Sequence, residues 1–324
     1  MADFVEQAER SAGGPLSPTA GPHAETRGSG SRARTVPVAD SALLGARVIQ
    51  LLRGLRAWSA TLGSDFVPQV AEMAALSLAS AAPASPPERL LPAAMSVVWA
   101  QTVDDRFDVT ARTQQDVDQL VRRCREVAAG GTPAADDPME HALASLAAAL
   151  RECPQGQALG ELWLRRLDLM LDSCRFEWTA GRTLALTGEA PTLERYLSHH
   201  HSVGFGMICV AWWISCAGPE IHEHLDTLLA AVDQLERAVR LANDQQTAHR
   251  ENSTEATGLN AAALGASREW IEQRLDHHLT AGHELLRPLE RRLPQAVELG
   301  RVADWLVGLY RVTEARLQPT AAEG

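Results

Sequence analysis

Apolar residues recur along the chain at the three- and four-residue spacing of amphipathic helices. In SALLGARVIQLLRGLRAWSATLG, which begins at Ser41, one stripe contains Leu44, Val48, Leu51, Leu52, Leu55 and Trp58. Further helical segments follow, separated by breaks that contain proline or glycine, and several start with a residue that can cap a helix. Alternating β-branched residues, hairpin turns and internal repeats are not evident. The pattern predicts an all-α fold, with one domain of roughly ten helices.

The two ends of the chain lack this pattern. Residues 1–40 are rich in glycine, serine, proline, threonine and alanine, so they cannot bury enough apolar surface to offset the entropy lost on ordering. We predict a disordered N-terminal extension at 1–40, a helical domain at 41–318 and a flexible C-terminal tail at 319–324.

The negative net charge of the chain limits the kinds of partner that it can bind. It carries 30 basic and 41 acidic residues, a formal net charge of −11, whereas nucleic acid binding needs clustered positive charge. We therefore expect no nucleic acid partner and regard a divalent cation as a better one. The N-terminus has no apolar region of the secretory type, and no uninterrupted apolar stretch is long enough to span a bilayer. A cytoplasmic protein without a membrane partner is expected, and its five cysteines, which include no CxxC pair, should be reduced core thiols.

Three carboxylates follow the apolar segment PAAMSVVWAQTV. Asp104 and Asp108 are four residues apart, so on a helix they share a face, whereas Asp105 points about 100° away from Asp104. Three carboxylates within five residues repel one another, and a hard cation with oxygen ligands would relieve that repulsion. A solvated acidic helix end explains the same residues equally well.

A second group of oxygen ligands lies in LANDQQTAHRENSTE. Asn243, Thr247 and Glu251 are spaced at i, i+4 and i+8, which places them in one line along a helix. Amide, hydroxyl and carboxylate oxygens are ligands that Mg²⁺ accepts, and Arg250 adds a cation where a diphosphate would lie. Alone, a polar helix face explains these residues as well. Together, the two clusters on separate helices of one bundle could hold magnesium ions and a diphosphate between them.

With these motifs the chain resembles the bacterial class I terpene synthases. Asp104-Asp105-Arg106-Phe107-Asp108 is similar to that family's aspartate-rich motif DDxxD, and the segment from Asn243 to Glu251 is similar to its magnesium motif NDxx(S/T)xxxE. The segments SPPERLLPAAMSVVWAQTVDD and FEWTAGRTLALTGEAPTLERYL resemble the helix that carries the first motif and the stretch between the motifs. The resemblance covers roughly residues 45–318. It implies the class I terpenoid synthase fold, a helical bundle around a central apolar pocket.

Two positions depart from the family pattern. After Tyr196-Leu197 the family usually carries an arginine that senses diphosphate, and here His200 stands at that position. A neutral imidazole offers one donor where a guanidinium offers five, so recognition by His200 would be weaker or would require protonation. The family's closing Arg-Tyr pair corresponds at best to Arg316-Leu317. Successive helical side chains diverge by about 100°, so the three residues of the run His199–His201 are not expected to converge on one metal ion.

The resemblance implies an enzyme that breaks the C–O bond of a prenyl diphosphate with the help of three Mg²⁺ ions. The metal ligands would be Asp104, Asp105, Asp108, Asn243, Thr247 and Glu251, all of which except Asp105 are also the candidate catalytic residues. His200, Arg250 and Arg316 would bind diphosphate oxygens.

The pocket beside the metal ions should be apolar, with aromatic faces that stabilise positive charge. Its candidate lining residues are Trp99, Phe107, Val203, Gly204, Phe205, Trp212 and Trp305. Trp305 is the preferred cation-facing residue because it precedes Arg316 by three turns, although an ordinary core position explains each aromatic residue as well.

Aromatic residues make up 5% of the chain, whereas alanine and leucine are abundant, so the pocket should be largely aliphatic and could suit a long or already cyclised C20 chain. The preferred substrate is therefore geranylgeranyl diphosphate or a bicyclic labdadienyl diphosphate supplied by a partner class II cyclase, and a homodimer is left open. The alternatives are a sesquiterpene synthase acting on farnesyl diphosphate, a chain-elongating prenyltransferase and a non-catalytic helical binding protein. A prenyltransferase would be expected to carry a second DDxxD motif.

Overall fold

The described part of the chain consists of helices joined by turns and loops. The computed structural model describes residues 37–60, 68–251 and 259–312, and the side chains of 247–251 lie outside this description. Within these ranges there are eleven α-helices and no β-strand. The helices are α1 (Val38–Ser59), α2 (Pro68–Ala81), α3 (Pro87–Asp105), α4 (Gln114–Ala128), α5 (Pro138–Glu152), α6 (Gly156–Thr187), α7 (Leu193–Leu197), α8 (Phe205–Cys216), α9 (Leu225–Glu251), α10 (Arg268–Leu286) and α11 (Pro294–Tyr310). The all-α fold predicted from the apolar periodicity is confirmed.

Three short turns of other helical types lie between these helices. A π-helical turn, Arg106–Thr110, continues directly from α3, and two 3₁₀ helices, His200–Val203 and Pro219–His224, precede α8 and α9. π-helical turns are rare and occur frequently at functional sites. Here the turn interrupts the DDxxD segment after its second aspartate.

Local chemistry fixes several helix boundaries. The Thr113 hydroxyl accepts a hydrogen bond from the backbone N–H of Asp116, and the Asp116 carboxylate accepts one from the backbone N–H of Thr113, which forms a capping box at the start of α4. Asp137 caps α5, whose first position is Pro138. α6 ends at Gly188, where φ is 75°, a left-handed conformation that favours glycine. The breaks that contain proline or glycine in the sequence therefore correspond to real helix ends.

Helix α8 forms the centre of the bundle. Its sequence, FGMICVAWWISC, is apolar on all sides, and it packs against α3, α6 and α9. A helix that is hydrophobic all round is stable only when other elements surround it. Helix α3 carries the start of the aspartate-rich motif, and α9 carries the second motif. Because both helices pack against α8, the two motifs are held beside the same central helix.

The limits of the helical domain, the state of the cysteines and the apolarity of the helices bear on the sequence predictions. The compact helical unit begins at Val38, inside the segment 1–40 that the composition predicts to be disordered. Residues 1–36 and 313–324, which hold most of the predicted extension and the whole predicted tail, lie outside the described residues. All five cysteines are free, and three of them are buried. No described helix is both long and apolar enough to cross a membrane.

Candidate active site

A cavity between α2, α3, α8, α9 and α11 receives side chains from both oxygen-ligand motifs. Asp104 from α3 and Asn243 from α9 line it together. The other polar lining residues are Ser77, Gln101, Ser202, Arg240 and Tyr310. The apolar lining residues are Met73, Leu78, Val97, Ala100, Val203, Phe205, Ile208, Val239, Val302 and Leu306. The cavity is therefore mainly aliphatic, with oxygen ligands contributed by two separate helices.

The aspartate-rich motif does not continue as a regular α-helix. Asp104 and Asp105 are the last residues of α3, and Asp108 lies in the π-helical turn that follows. The Gln101 side-chain amide lies 3.4 Å from Asp104 Oδ2, and Asp108 is exposed. The shared α-helical face of Asp104 and Asp108 was inferred from i, i+4 spacing, but a π-helical turn closes its hydrogen bonds at i+5. The relative direction of these two carboxylates therefore differs from that of a regular helix.

The second motif lies on one uninterrupted helix, as its spacing predicts. Helix α9 extends from Leu225 to Glu251 and includes Asn243, Thr247 and Glu251. Asn243 is half-buried and faces the cavity, whereas the neighbouring Asp244 is buried and faces away from solvent. The side chains of Thr247, Arg250 and Glu251 lie outside the described residues, as does Arg316.

A buried ionic cluster, which sequence reasoning missed, lies directly behind Asn243. Arg240 is one turn before Asn243, and its guanidinium contacts both carboxylates of the cluster, Glu177 Oε2 at 3.1 Å and Asp244 Oδ1 at 2.9 Å. It also donates to the Tyr196 hydroxyl and to Ser202 Oγ. The Tyr196 hydroxyl lies 2.9 Å from each oxygen of Asp244. We call Glu177, Tyr196, Arg240 and Asp244 the Arg240 cluster.

The Arg240 cluster fixes the position of helix α9 beside the cavity. Asp244 Oδ2 accepts a further hydrogen bond from the backbone N–H of Ala261, so the cluster joins α6, α7, α9 and the segment before α10. Burial raises the pKa of Glu177 to about 8, and the positive charge of Arg240 opposes that shift. Buried charges are tolerated only when they are paired and hydrogen-bonded, and Arg240 supplies that pairing. The signal available in the sequence was the arginine one helical turn before the asparagine.

His200, which stands at the position of the family's diphosphate-sensing arginine, is buried with 3% of its surface exposed. Its Nδ1 lies 3.2 Å from the Leu197 carbonyl oxygen. Its Nε2 has no hydrogen-bond partner among the described residues. Burial lowers the pKa of His200 to about 2, so the imidazole is neutral at physiological pH. His200 is not among the residues that line the cavity with Asp104 and Asn243, and its sensing role stays a prediction.

The candidate pocket residues on and around the central helix separate into two groups. Val203 and Phe205 line the cavity. Gly204, between them, has φ of 67°, and a Cβ added there would lie 2.9 Å from Met170 Sδ. Trp212, on the same helix, is buried in the core and is not a lining residue. Val203 and Phe205, on either side of this left-handed residue, therefore belong to the cavity wall, whereas Trp212 belongs to the core.

Three other aromatic candidates lie away from this cavity. Trp99 is fully buried and donates through Nε1 to the Met139 carbonyl, and Phe107 is buried in the core. Trp305 is half-buried on α11, whereas Val302 and Leu306 of the same helix line the cavity. Residues that line the cavity thus share a helix with Trp305, but the tryptophan itself is not one of them. Helical spacing alone could not decide which neighbour faces inward.

Comparison with solved structures identifies the architecture. A linalool/nerolidol synthase from Streptomyces clavuligerus, in complex with 2-fluorogeranyl diphosphate, aligns with a TM-score of 0.56 at 16% identity, over 83% of this chain and 96% of that one. Germacradien-4-ol synthase from Streptomyces citricolor aligns with a TM-score of 0.54 at 19% identity, over 82% of this chain and 93% of that one. The fold is the class I terpene synthase bundle, as the sequence motifs predicted.

Sequence comparison identifies the family. Residues 96–264 match terpene synthase family 2, C-terminal metal binding, which is more than half of the chain. Over 271 residues the chain is 29% identical to ent-pimara-9(11),15-diene synthase from Streptomyces sp. (strain KO-3988), an alignment that spans 83% of this chain and 91% of the relative. The chain belongs to this family of metal-binding bacterial class I terpene synthases. It is a lyase that acts on prenyl diphosphates.

Proposed function

We propose that this terpene synthase is a diterpene synthase that uses Mg²⁺ to ionise geranylgeranyl diphosphate or a bicyclic labdadienyl diphosphate. The observation that carries the proposal is the cavity in which Asp104 and Asn243 meet beside an aliphatic wall. Similarity to an ent-pimara-9(11),15-diene synthase supports the C20 substrate. If the substrate is bicyclic, a class II cyclase must form it first.

The donor atoms fit a hard divalent cation. Asp104 offers carboxylate oxygens, and Asn243 offers an amide oxygen from the opposite helix. We propose Asp105 and Asp108 as further ligands on the first side, and Thr247 and Glu251 on the second. Mg²⁺ prefers oxygen ligands and binds readily to substrate phosphates, so this ligand set suits three ions shared with a diphosphate.

The proposed reaction begins with heterolysis of the allylic C–O bond. The electron pair remains on the diphosphate oxygen, and the bound Mg²⁺ would supply the Lewis acidity that stabilises this leaving group. Asp104 and Asn243 would hold the Mg²⁺ ions that bind the diphosphate, and Arg250 and Arg316 are proposed to bind its oxygens. The aliphatic wall folds the hydrocarbon and excludes water from the carbocation, which becomes a terpene after cyclisation and loss of a proton.

A product assay tests the proposal. The purified enzyme would be incubated with Mg²⁺ and, in turn, C10, C15, C20 and bicyclic C20 diphosphates, and the products would be identified by gas chromatography. We expect terpenes from a C20 diphosphate together with released diphosphate. Terpenes from farnesyl diphosphate alone would make the chain a sesquiterpene synthase instead.

The same assay distinguishes the remaining functions. Adding isopentenyl diphosphate would give longer diphosphates if the chain were a prenyltransferase. Retention of the substrate without diphosphate release would indicate a binding protein. An Asp104→Asn variant is the control for background hydrolysis, since it keeps the size of the side chain but removes its charge.

A further inference from the structure

We propose that the chain holds a second metal site, specific for zinc, between the 3₁₀ helix His200–Val203 and the middle of α9. Its ligands are His200, His201, Asp233 and Glu236, and one potential ligand atom from each lies within 4.8 Å of the other three. None of these residues belongs to the aspartate-rich motif or to the motif that begins at Asn243. We call these four residues the histidine cluster.

The first observation is the free nitrogen of His200. The Leu197 carbonyl can only accept a hydrogen bond, so the contact from His200 Nδ1 at 3.2 Å places the ring proton on that nitrogen. Nε2 then carries a lone pair, is buried and has no hydrogen-bond partner among the described residues. A neutral imidazole whose other nitrogen donates to a backbone carbonyl is the usual state of a metal-bound histidine.

The second observation is the arrangement of the other three side chains. His201 Nδ1 lies 2.7 Å from Glu236 Oε2, and the other oxygen of Glu236 accepts from the Gly206 backbone N–H at 2.9 Å. Glu236 is buried, and Asp233, one turn earlier on α9, is half-buried and so leaves a route from solvent. Arg166 lies 2.5 Å from Asp233 Oδ1, which leaves Oδ2 for the ion.

The spacing fits a small tetrahedral ion. Zinc bonds of about 2.0–2.1 Å to nitrogen and oxygen hold the ligand atoms roughly 3.3 Å apart. His201 Nδ1 and Glu236 Oε2 are 2.7 Å apart, and no two of the four ligand atoms are more than 4.8 Å apart, so small side-chain movements would bring them to that spacing. Two imidazoles with two carboxylates favour zinc over Mg²⁺, which prefers oxygen ligands alone.

A zinc ion at this site would link the 3₁₀ helix His200–Val203, which forms part of the cavity wall, to α9, which carries Asn243. Val203 belongs to the same 3₁₀ helix as His200 and lines the cavity, and Asn243 lies two turns beyond Glu236 on α9. Consecutive histidines on an α-helix diverge, and His199 indeed stacks on Phe176 instead. The rings of His200 and His201, however, approach to 3.9 Å between centroids.

Zinc binding to the full-length chain in excess Mg²⁺ tests the site, because Mg²⁺ would occupy the carboxylate motifs. We expect calorimetry to show one tightly bound zinc ion per chain, and thermal unfolding to shift upward with zinc. His200→Ala and Asp233→Asn should weaken zinc binding by roughly tenfold or more. His199→Ala and Asp104→Asn, which leave the histidine cluster intact, should bind zinc as the wild type does.

Two results would overturn the proposal. The first is a wild-type chain that binds no zinc in excess Mg²⁺, and the second is equal affinity in the wild type, His200→Ala and Asp233→Asn. Because His200 is buried, circular dichroism of each metal-free variant must first show a folded chain. Asp233→Asn, at a half-buried position, decides the question if His200→Ala does not fold.

Discussion

Asn243 and Asp244 are neighbours in one motif, yet they belong to two regions that differ in their chemistry. Asn243 lies on the cavity surface with Asp104, where polar groups face open space. Asp244 lies in the Arg240 cluster, where it contacts Arg240, Tyr196 and the backbone of Ala261. Asp104 and Asn243 supply oxygen atoms to the cavity surface, whereas the carboxylates of Glu177 and Asp244 contact Arg240 inside the fold. Substitutions in the first region should affect turnover, and those in the second should affect stability as well.

The largest effect is expected at Asp104. Asp104→Ala should reduce turnover to near background, because a proposed metal ligand is lost, and it should leave the thermal unfolding temperature almost unchanged. Steady-state kinetics over a range of Mg²⁺ concentrations would measure this. Asp118→Ala, which removes an exposed carboxylate from α4, is the matched control. Turnover above half of the wild-type value would contradict the ligand role of Asp104.

Arg240→Met should destabilise the Arg240 cluster. It leaves the Asp244 carboxylate buried without its cation, and loss of one partner from a buried ion pair costs about 3–5 kcal/mol. Chemical denaturation should show this loss, and turnover should fall with it because α9 carries Asn243. Arg237→Met, one turn earlier, removes only a hydrogen bond to the Leu197 carbonyl and should cost about 1 kcal/mol. Equal losses in the two variants would mean that the Arg240 cluster contributes no special stability.

Glu298 on α11 contrasts with the acids of the Arg240 cluster, because it is buried and no arginine of the described residues is bound to its carboxyl group. Its Oε2 has no partner among the described residues, and burial raises its pKa to about 7 although Arg301 and Arg47 oppose the shift. The folded state therefore holds a proton that the unfolded state releases, so stability should fall as pH rises from about 4.5 to about 7.

Glu298→Gln removes this dependence. The variant should be more stable than the wild type above about pH 7, by up to about 3 kcal/mol, and should gain nothing below about pH 4.5. Denaturation midpoints measured from pH 4 to pH 8.5 test it, with the exposed Glu290→Gln as control. A constant difference between the two chains at every pH would exclude titration of Glu298.

A smaller effect is expected at His200, which belongs to neither region. The sensing role implied by family resemblance requires His200→Ala to lower kcat/KM by about ten- to a hundredfold, with loss of activity between about pH 6 and 8. The buried neutral imidazole gives the opposite expectation, a change below about threefold and an unaltered pH profile. Initial rates of both chains across this pH range decide between them, and a large pH-dependent loss would restore the sensing role.

The smallest effect is expected at the N-terminus. Residues 1–36 are rich in glycine, serine, proline, threonine and alanine and offer no core-forming pattern, so removing them should leave turnover and thermal unfolding unchanged. A loss of several degrees in unfolding temperature would show that this segment packs on the domain. A truncation that also removes Val38–Asp40 shortens α1 and serves as the comparison.

The sequence predicted the features that depend on local spacing. Apolar periodicity predicted the helices, and the i, i+4, i+8 pattern of Asn243, Thr247 and Glu251 predicted their common helix α9. It did not reveal the Arg240 cluster, because Glu177, Tyr196 and Asp244 come from three helices that only tertiary packing brings together. The π-helical turn after Asp105 was not predicted either, because the i, i+4 spacing of Asp104 and Asp108 assumes a regular α-helix.

The conformation of Gly204 limits how the product of this enzyme could be altered by design. A side chain there would meet Met170 Sδ at 2.9 Å and would also have to adopt a positive φ, so substitutions should be destabilising. Val203 and Phe205, on either side, face the cavity from ordinary backbone conformations. A library that varies these two residues and holds Gly204 constant should reshape the space around the carbocation without unfolding the bend that presents it.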